Sequence, residues 1–339
     1  MKTSQFDYNI PSELIAQVPI EPRHASKLMI LNRLSGRIRH SHFYDLGKFL
    51  HKGDLLVINT TRVLPARISA RKPTGGKVEL LLLRSLKPSV WRVIVGGKRI
   101  KRGLILQVVK GPKVEIIEEL NGSERLVHFL EPIEPFLKSV GEIPLPPYIH
   151  ETLKNPERYQ TVYSKEIGSA AAPTAGLHFT EELIEQLKDQ GINFAEVTLH
   201  VGLDTFAPVK EEEVEDHKIH KEWCRVTQEV ADLINQTHCE GKQIVAVGTT
   251  TVRVLETAAK NANNDCMVEE FSGMTDLFIL PGFKFKAVDA LITNFHLPRS
   301  TLLMLVSAFA GCEKIKCAYA AAIKEHYRFY SFGDAMLIE

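Results

Sequence analysis

The chain has 339 residues, 44% hydrophobic and 24% charged, with a formal net charge of +1. That composition is globular and leaves room for one large domain or two ordinary ones. It excludes a bilayer-spanning chain, since no apolar run is long enough. An odd count of five cysteines without Cys-x-x-Cys excludes a disulfide framework and points to reduced thiols in the cytoplasm.

In chain order, Leu55-Leu56-Val57-Ile58 reads as a buried strand running into Asn59-Thr60-Thr61-Arg62. Residues 67–150 then differ in charge and pattern. They hold 15 Lys and Arg against 8 Asp and Glu, an excess of seven positive charges that leaves the rest of the chain six negative. Seven basic residues and no acid fall between Arg84 and Arg102, ending in Lys98, Arg99, Lys101 and Arg102. Short apolar runs at 77–83, 90–95, 104–109 and 114–117, most of them parted by Gly75-Gly76, Gly96-Gly97 and Gly111-Pro112, predict a small antiparallel barrel or sandwich. Pro144, Pro146 and Pro147 close it. The segment therefore reads as an inserted basic β domain, an electrostatic footprint for a polyanion.

Residues 1–66 and 151–339 read as one discontinuous α/β domain, barrel-like in its alternation of strands and helices. Thr180 caps a helix that stops at Gly191, and Phe194 to Val201 is a strand. Ile244 to Gly248 is a strand turning into a helix that carries Arg253. Val288 to Ile292 is another strand, and Ser300 caps a helix ending at Gly311. Tyr327 to Asp334 places alternate aromatics on a strand, either as core or as a cage for a sulfonium or a base.

Polar residues collect where these strands give way to helices, the usual place for a ligand in an α/β fold. The stretch from Thr174 through Gly176 to His178 combines small residues with a histidine ahead of a helix. His200 and Gly202 end a strand, Asn294 and His296 end another, and Gly248, Thr249 and Thr250 form an anion cradle with Arg253 as a carboxylate clamp. Histidines near neutral pKa suit proton transfer. His217, His220 and Cys224 fall at i, i+3 and i+7 of one helix face, a candidate zinc trio without an obvious fourth ligand. No metal is expected on balance.

Taken together these residues resemble the S-adenosylmethionine:tRNA ribosyltransferase-isomerase family of queuosine biosynthesis. The resemblance rests on Leu14 to Gln17 with Pro19 and Arg23, Asn59 to Arg67, Pro144 to Ile149, Arg158 to Tyr163, Ala171 to Thr180, Thr198 to Gly202, Val247 to Thr250, Thr293 to Pro298 and Tyr327 to Asp334. Three positions depart from the family pattern. His24 stands where an acid usually follows Arg23, Lys27 where arginine is usual, and Asp204 where glycine usually precedes Thr205 and Phe206. The first two bear on charge pairing around Arg23, the third on the loop after His200.

The resemblance implies a tRNA with a GUN anticodon, carrying 7-aminomethyl-7-deazaguanine at its wobble position, as partner. S-adenosylmethionine is the co-substrate that donates its ribosyl unit, and no cofactor is bound permanently. Products are epoxyqueuosine-tRNA, adenine and methionine. On physical grounds His178 or His200 takes the 5′ proton, and His296 or Asn294 serves the departing adenine. Thr174, Gly176, Gly202, Gly248, Thr249, Thr250 and Arg253 surround S-adenosylmethionine, with Arg253 or the Gly248–Thr250 amides taking the methionine carboxylate. Lys98, Arg99, Lys101 and Arg102 meet tRNA phosphates. The protein is expected to be a monomer. Rival readings are a non-catalytic nucleic-acid binder, a zinc hydrolase or deaminase built on the His217 trio, and a methyltransferase, whose usual glycine-rich loop is missing.

Overall fold

The computed structural model describes residues 1–202, 205, 207–263 and 266–339. Asp204 lies outside the described residues. The chain divides into two compact units, one of Met1–Thr61, Pro146–Glu166 and Ala172–Glu339, the other of Arg62–Leu145 and Ile167–Ala171.

The larger unit is built on a nine-stranded mixed sheet. Its order is Phe271–Thr275, Glu222–Val226, Asn193–Leu199, Leu55–Asn59, Ile244–Val247, Ala290–Asn294, Ala335–Ile338, Lys27–Leu31, Ile38–His42. The four strands from Asn193–Leu199 to Ala290–Asn294 run parallel. Three of them are buried at every position, as parallel strands covered on both faces must be. The sheet's core gathers Leu56, Ile58, Val245, Val247 and Ile292 with Phe43, Phe179 and Leu183.

Helices follow the expected signals. The Thr180 hydroxyl accepts the Leu183 N–H at 3.2 Å and caps Glu181–Asp189, which ends just before Gly191. Ser300 caps Thr301–Ala310 in the same way. Gly311 does end that helix, but a second helix, Cys312–Lys324, starts directly after it. The predicted strand at 288–292 is displaced to Ala290–Asn294. Asp289 N–H donates to the Ile244 carbonyl while its carboxylate accepts the Ile244 N–H, and at the far end Thr293 and Asn294 stay in the ladder by pairing with Met336 and Ala335. Tyr327 to Asp334 is not a strand. It is an irregular segment in which Tyr330 has φ +70, and its aromatics pack into the interior, with Phe329 and Tyr327 against Phe295. Of the two readings of those aromatics, the structure shows core.

The smaller unit is a closed barrel of six antiparallel strands. Arg67–Arg71 pairs with Lys77–Lys87 on one side and Ile105–Val108 on the other, and Val90–Gly96, Glu124–Phe129 and Lys113–Glu119 complete the ring. Lys77–Lys87 alternates buried and exposed residues through its first half, the period-two signature of a wall with a dry interior. Trp91, Val93, Leu106, Ile116 and Phe129 fill that interior. The unit begins ahead of residue 67 because Ala66 is fully buried in the barrel core and Leu64 packs against it. It gains 167–171 because Leu64 N–H donates to the Ser169 carbonyl at 2.8 Å. An α/β domain with a small antiparallel β-barrel is the fold class expected from the sequence, but the sheet of the large domain is open among the described residues and not barrel-like, because its edge strands Phe271–Thr275 and Ile38–His42 do not pair.

Candidate active site

The four parallel strands end side by side. Leu199, Asn59, Val247 and Asn294 are their last residues, and the candidate polar residues follow directly. Asn59 ties this edge together. It is fully buried, its amide oxygen accepts the N–H groups of Leu199 and Thr61, each at 3.1 Å, and its amide nitrogen donates to the Leu199 carbonyl at 3.1 Å. Gly248 turns the chain from strand to helix with φ +91, a conformation that favours glycine, and starts the helix Thr249–Asn261.

Thr174, Gly248, Thr249, Thr250, Asn294 and His296 line one cavity at this edge. Gly176 does not. A Cβ there would sit 2.0 Å from the Tyr163 hydroxyl, so its smallness serves packing. Asn294 is the hub of the cavity wall. Its amide oxygen accepts from the Thr174 hydroxyl at 3.3 Å, and its amide nitrogen donates to the Tyr330 carbonyl at 3.1 Å and to His178 Nε2 at 3.2 Å. His178 is buried behind it, stacked on Phe43, with Nδ1 2.8 Å from the Ser26 hydroxyl. Burial, then the positive charges of Arg328 and Arg23, pushes its pKa down to about 3. Both ring nitrogens are partnered, which leaves His178 a positioning group.

His296 is also buried, and burial alone takes its pKa down to about 3. Its Nε2 meets the Thr293 hydroxyl at 2.7 Å, and its backbone is held by Tyr319 and Tyr8. A histidine in this state offers a neutral hydrogen-bonding edge. His200 differs from both. It is half-buried, stacks on Trp223 with centroids 5.2 Å apart, and places Nδ1 2.9 Å from the Thr61 hydroxyl. That hydroxyl donates to the Glu166 carbonyl at 3.4 Å, so its oxygen accepts the hydrogen bond from Nδ1–H and Nε2 is left as the basic nitrogen. Burial lowers the His200 pKa, opposed by Glu166. The ring is not in the wall of the cavity. Val201, the next residue, is.

Arg253 lies one turn into the helix and lines a second cavity, which shares Thr205 and Leu302 with the first. The sequence reading assigns it a ligand carboxylate. The structure shows it already holding one, that of Glu222. The other Glu222 oxygen accepts the Gly202 N–H at 2.7 Å and the Thr205 hydroxyl at 3.4 Å. Sequence reasoning missed Glu222, because a lone acid in Glu222-Trp223-Cys224 carries no spacing signal.

In the barrel unit, Lys98, Arg99, Lys101 and Arg102 are exposed in the loop between two strands, with buried Ile100 anchoring it. The zinc trio does not form a helix face. Residues 217–221 are irregular and Cys224 is a buried strand residue. The physical reason is that Glu222–Val226 alternates inward and outward in the sheet, a period of two that the helical spacing misread. Among the described residues no group of three metal-ligating side chains occurs. The two departures near Arg23 are both accommodated. The Arg23 guanidinium donates to the carbonyls of Gln160, Leu177 and Glu157, so it needs no neighbouring acid, and His24 bonds the Thr180 hydroxyl at 3.0 Å. Lys27 donates to the Glu325 carbonyl at 2.7 Å and lies over the Tyr327 ring.

Fold and site define an α/β protein with a polar cavity at the carboxyl edge of the parallel strands of a mixed sheet. The family model described as queuosine biosynthesis protein matches residues 3–338, and the chain belongs to that family. Proteins named S-adenosylmethionine:tRNA ribosyltransferase-isomerase from Thermotoga petrophila and Staphylococcus haemolyticus are 53% and 52% identical to it, each over the full length of both chains. One from Aquifex aeolicus is 50% identical, again over both full lengths. The crystal structure of S-adenosylmethionine tRNA ribosyltransferase from Thermotoga maritima is similar with a TM-score of 0.59 and 42% identity, covering 99% of this chain and 100% of that one.

Proposed function

We propose that this chain transfers and isomerises the ribosyl unit of S-adenosylmethionine onto 7-aminomethyl-7-deazaguanine at the wobble position of tRNA. Epoxyqueuosine-tRNA, adenine and methionine are the products. The observation that carries the site assignment is the convergence of Thr174, Gly248, Thr249, Thr250, Asn294 and His296 on one cavity beyond the parallel strands. The family supplies the reaction class.

The reaction begins with loss of a 5′ proton beside the sulfonium. His200 is the base: its Nε2 carries the lone pair, and its half-buried ring, outside the cavity wall itself, adjoins Val201, which lines it. The electrons left at the 5′ carbon form a C4′=C5′ double bond as the C4′–O4′ bond breaks, and the ring oxygen then forms a carbonyl at C1′ as the bond from C1′ to adenine breaks and adenine leaves. His296 stabilises that leaving group by a hydrogen bond from a desolvated wall, where such bonds are strong, while Asn294, whose two amide hydrogens go to His178 and the Tyr330 carbonyl, offers the purine edge only its amide oxygen. A neutral His296 assists by hydrogen bonding and not as an imidazolium acid. The aminomethyl nitrogen then attacks, and closure of the epoxide releases methionine. His178 holds Asn294 in place. Lys98, Arg99, Lys101 and Arg102 neutralise phosphates and set tRNA position, while an anticodon loop presents its unstacked bases for reaction. The substrate tRNAs carry GUN anticodons, the protein works as a cytoplasmic monomer, and no resident cofactor is required because S-adenosylmethionine is consumed.

The test mixes the protein with S-adenosylmethionine and tRNA bearing the aminomethyl base, then measures small molecules by mass spectrometry. Adenine and methionine released together, only with modified tRNA, support the reading. S-adenosylhomocysteine would mean methyl transfer, and tight tRNA binding without turnover would mean a non-catalytic binder.

A further inference from the structure

The second cavity, about 100 Å³, adjoins the first and contains one anomaly. Arg253 is only 7% exposed. Its Nε donates to the Leu277 carbonyl at 3.1 Å and its Nη1 to Glu222. Its Nη2 is buried with no hydrogen-bond partner among the described residues. A guanidinium N–H left unpaired inside a protein is costly, and native structures rarely leave one without a use. Glu222 is buried beside it, with one oxygen turned to Gly202 and Thr205 and the other to Arg253. A carboxylate has about four lone-pair sites, so Glu222 retains one for a further donor. The rest of the cavity is largely apolar, including Ile219, Phe278, Ile279 and Leu305.

We infer that Glu222 and Arg253 form a zwitterion clamp for the amino-acid end of S-adenosylmethionine. Arg253 Nη2 receives the α-carboxylate, Glu222 receives the α-ammonium, and the apolar wall takes the methylene arm. The shared Thr205 and Leu302 lead from there to the cavity of Asn294 and His296, where the ribosyl and adenine parts lie. A phosphate is a poor match for the same place, because Glu222 would repel a dianion that Arg253 attracts. The assignment rests on S-adenosylmethionine being the co-substrate. It makes Glu222 a specificity-determining residue and gives the carboxylate to Arg253 over the Gly248–Thr250 amides.

The experiment measures dissociation constants by calorimetry, with saturating tRNA lacking the aminomethyl group so that nothing turns over. The probes are S-adenosylmethionine, its decarboxylated form and its desamino form. Wild-type protein should bind each truncated probe roughly tenfold to a hundredfold more weakly, the range of one charge-assisted contact. Arg253→Lys keeps a cation beside Glu222 but lacks Nη2, and should weaken S-adenosylmethionine while leaving the decarboxylated probe unchanged. Glu222→Gln should erase discrimination against the desamino probe. The wild-type comparison needs no variant to fold. Truncated probes that bind wild-type protein as tightly as S-adenosylmethionine overturn the clamp alone. Failure of wild-type protein to bind any of the three overturns the co-substrate reading and the clamp with it.

Discussion

Asn294 Nδ2 faces His178 Nε2 at 3.2 Å while its second hydrogen goes to the Tyr330 carbonyl at 3.1 Å. The carbonyl admits only a donor, which sets the orientation of the amide. Nε2 of His178 is therefore the acceptor, and the ring proton sits on Nδ1, donated to Ser26 Oγ at 2.8 Å. A base needs a lone pair facing its substrate, and this one is spent on Asn294.

It follows that His178 stays neutral, with its proton on Nδ1, from pH 5 to pH 8. Imidazole ¹⁵N shifts read both protonation and tautomer. A titration midpoint near 6.5 for this residue would contradict the arrangement. Asn294→Ala should free Nε2 and move the shift pattern of His178 without touching that of His200.

Acid should unfold the protein through the same burial. His178 and His296 have folded pKa values of about 3 against an ordinary 6.5. Both are depressed, so the unfolded chain binds protons that the folded chain refuses. Their stabilising contribution is complete above pH 6.5 and is lost as pH falls from 6.5 toward 3, at about 1.4 kcal/mol per pH unit for each histidine. Urea midpoints taken between pH 7 and pH 4.5 should fall steeply. In His296→Asn the dependence should be shallower by about one proton.

His200 predicts a different pH signature, in rate and not in stability. Its pKa is below the ordinary value, so the neutral base is fully formed at pH 7 and is lost only in more acidic solution. Single-turnover rates should stay flat down through neutral pH and fall with unit slope only on the acid side of the ordinary histidine range. His200→Ala should remove that limb and cost on the order of 10²- to 10⁴-fold in rate. A wild-type rate in His200→Ala would take the base assignment away.

What was legible beforehand follows physical lines. Thr180, Gly191 and Ser300 act locally, through hydrogen bonds and backbone angles a few residues away, so their helices could be read with near-correct ends. The carboxyl edge of the sheet was legible because each strand there runs straight into its polar residues. Strands such as Lys27–Leu31 and Ala335–Ile338 were not, since they pair with each other across the full length of the chain. Glu222 escaped for the same reason. Its partner Arg253 is 31 residues away, and nothing local marks the pair. The trio of His217, His220 and Cys224 shows the opposite error, a spacing that is meaningful on a helix and void on an irregular segment leading into a strand.

Thr180 does two jobs, accepting the Leu183 N–H and bonding His24 Nδ1. Thr180→Ala should cost about 1 kcal/mol of stability, a usual value for a lost N-cap. Thr180→Ser should keep most of it. Urea denaturation distinguishes the two, and neither should change single-turnover rate by more than about twofold if the cap is purely structural.

The basic loop should act through salt alone. Lys98, Arg99, Lys101 and Arg102 are exposed on the barrel unit, and Arg99 has φ +56, a left-handed position where asparagine is the best neutral replacement. Each cation that neutralises a phosphate of a single-stranded loop adds about 0.7 to the slope of log K against log salt, and a duplex contact about 0.9. Replacing all four, with Arg99→Asn and glutamine elsewhere, should weaken tRNA binding and lower that slope by about 3. S-adenosylmethionine binding, which depends on the other unit, should be unchanged. Fluorescence anisotropy with labelled tRNA over a range of salt concentrations measures the slope directly. A fall in affinity at unchanged slope would mean that the substitutions damage the barrel, since only loss of phosphate contacts releases fewer counterions.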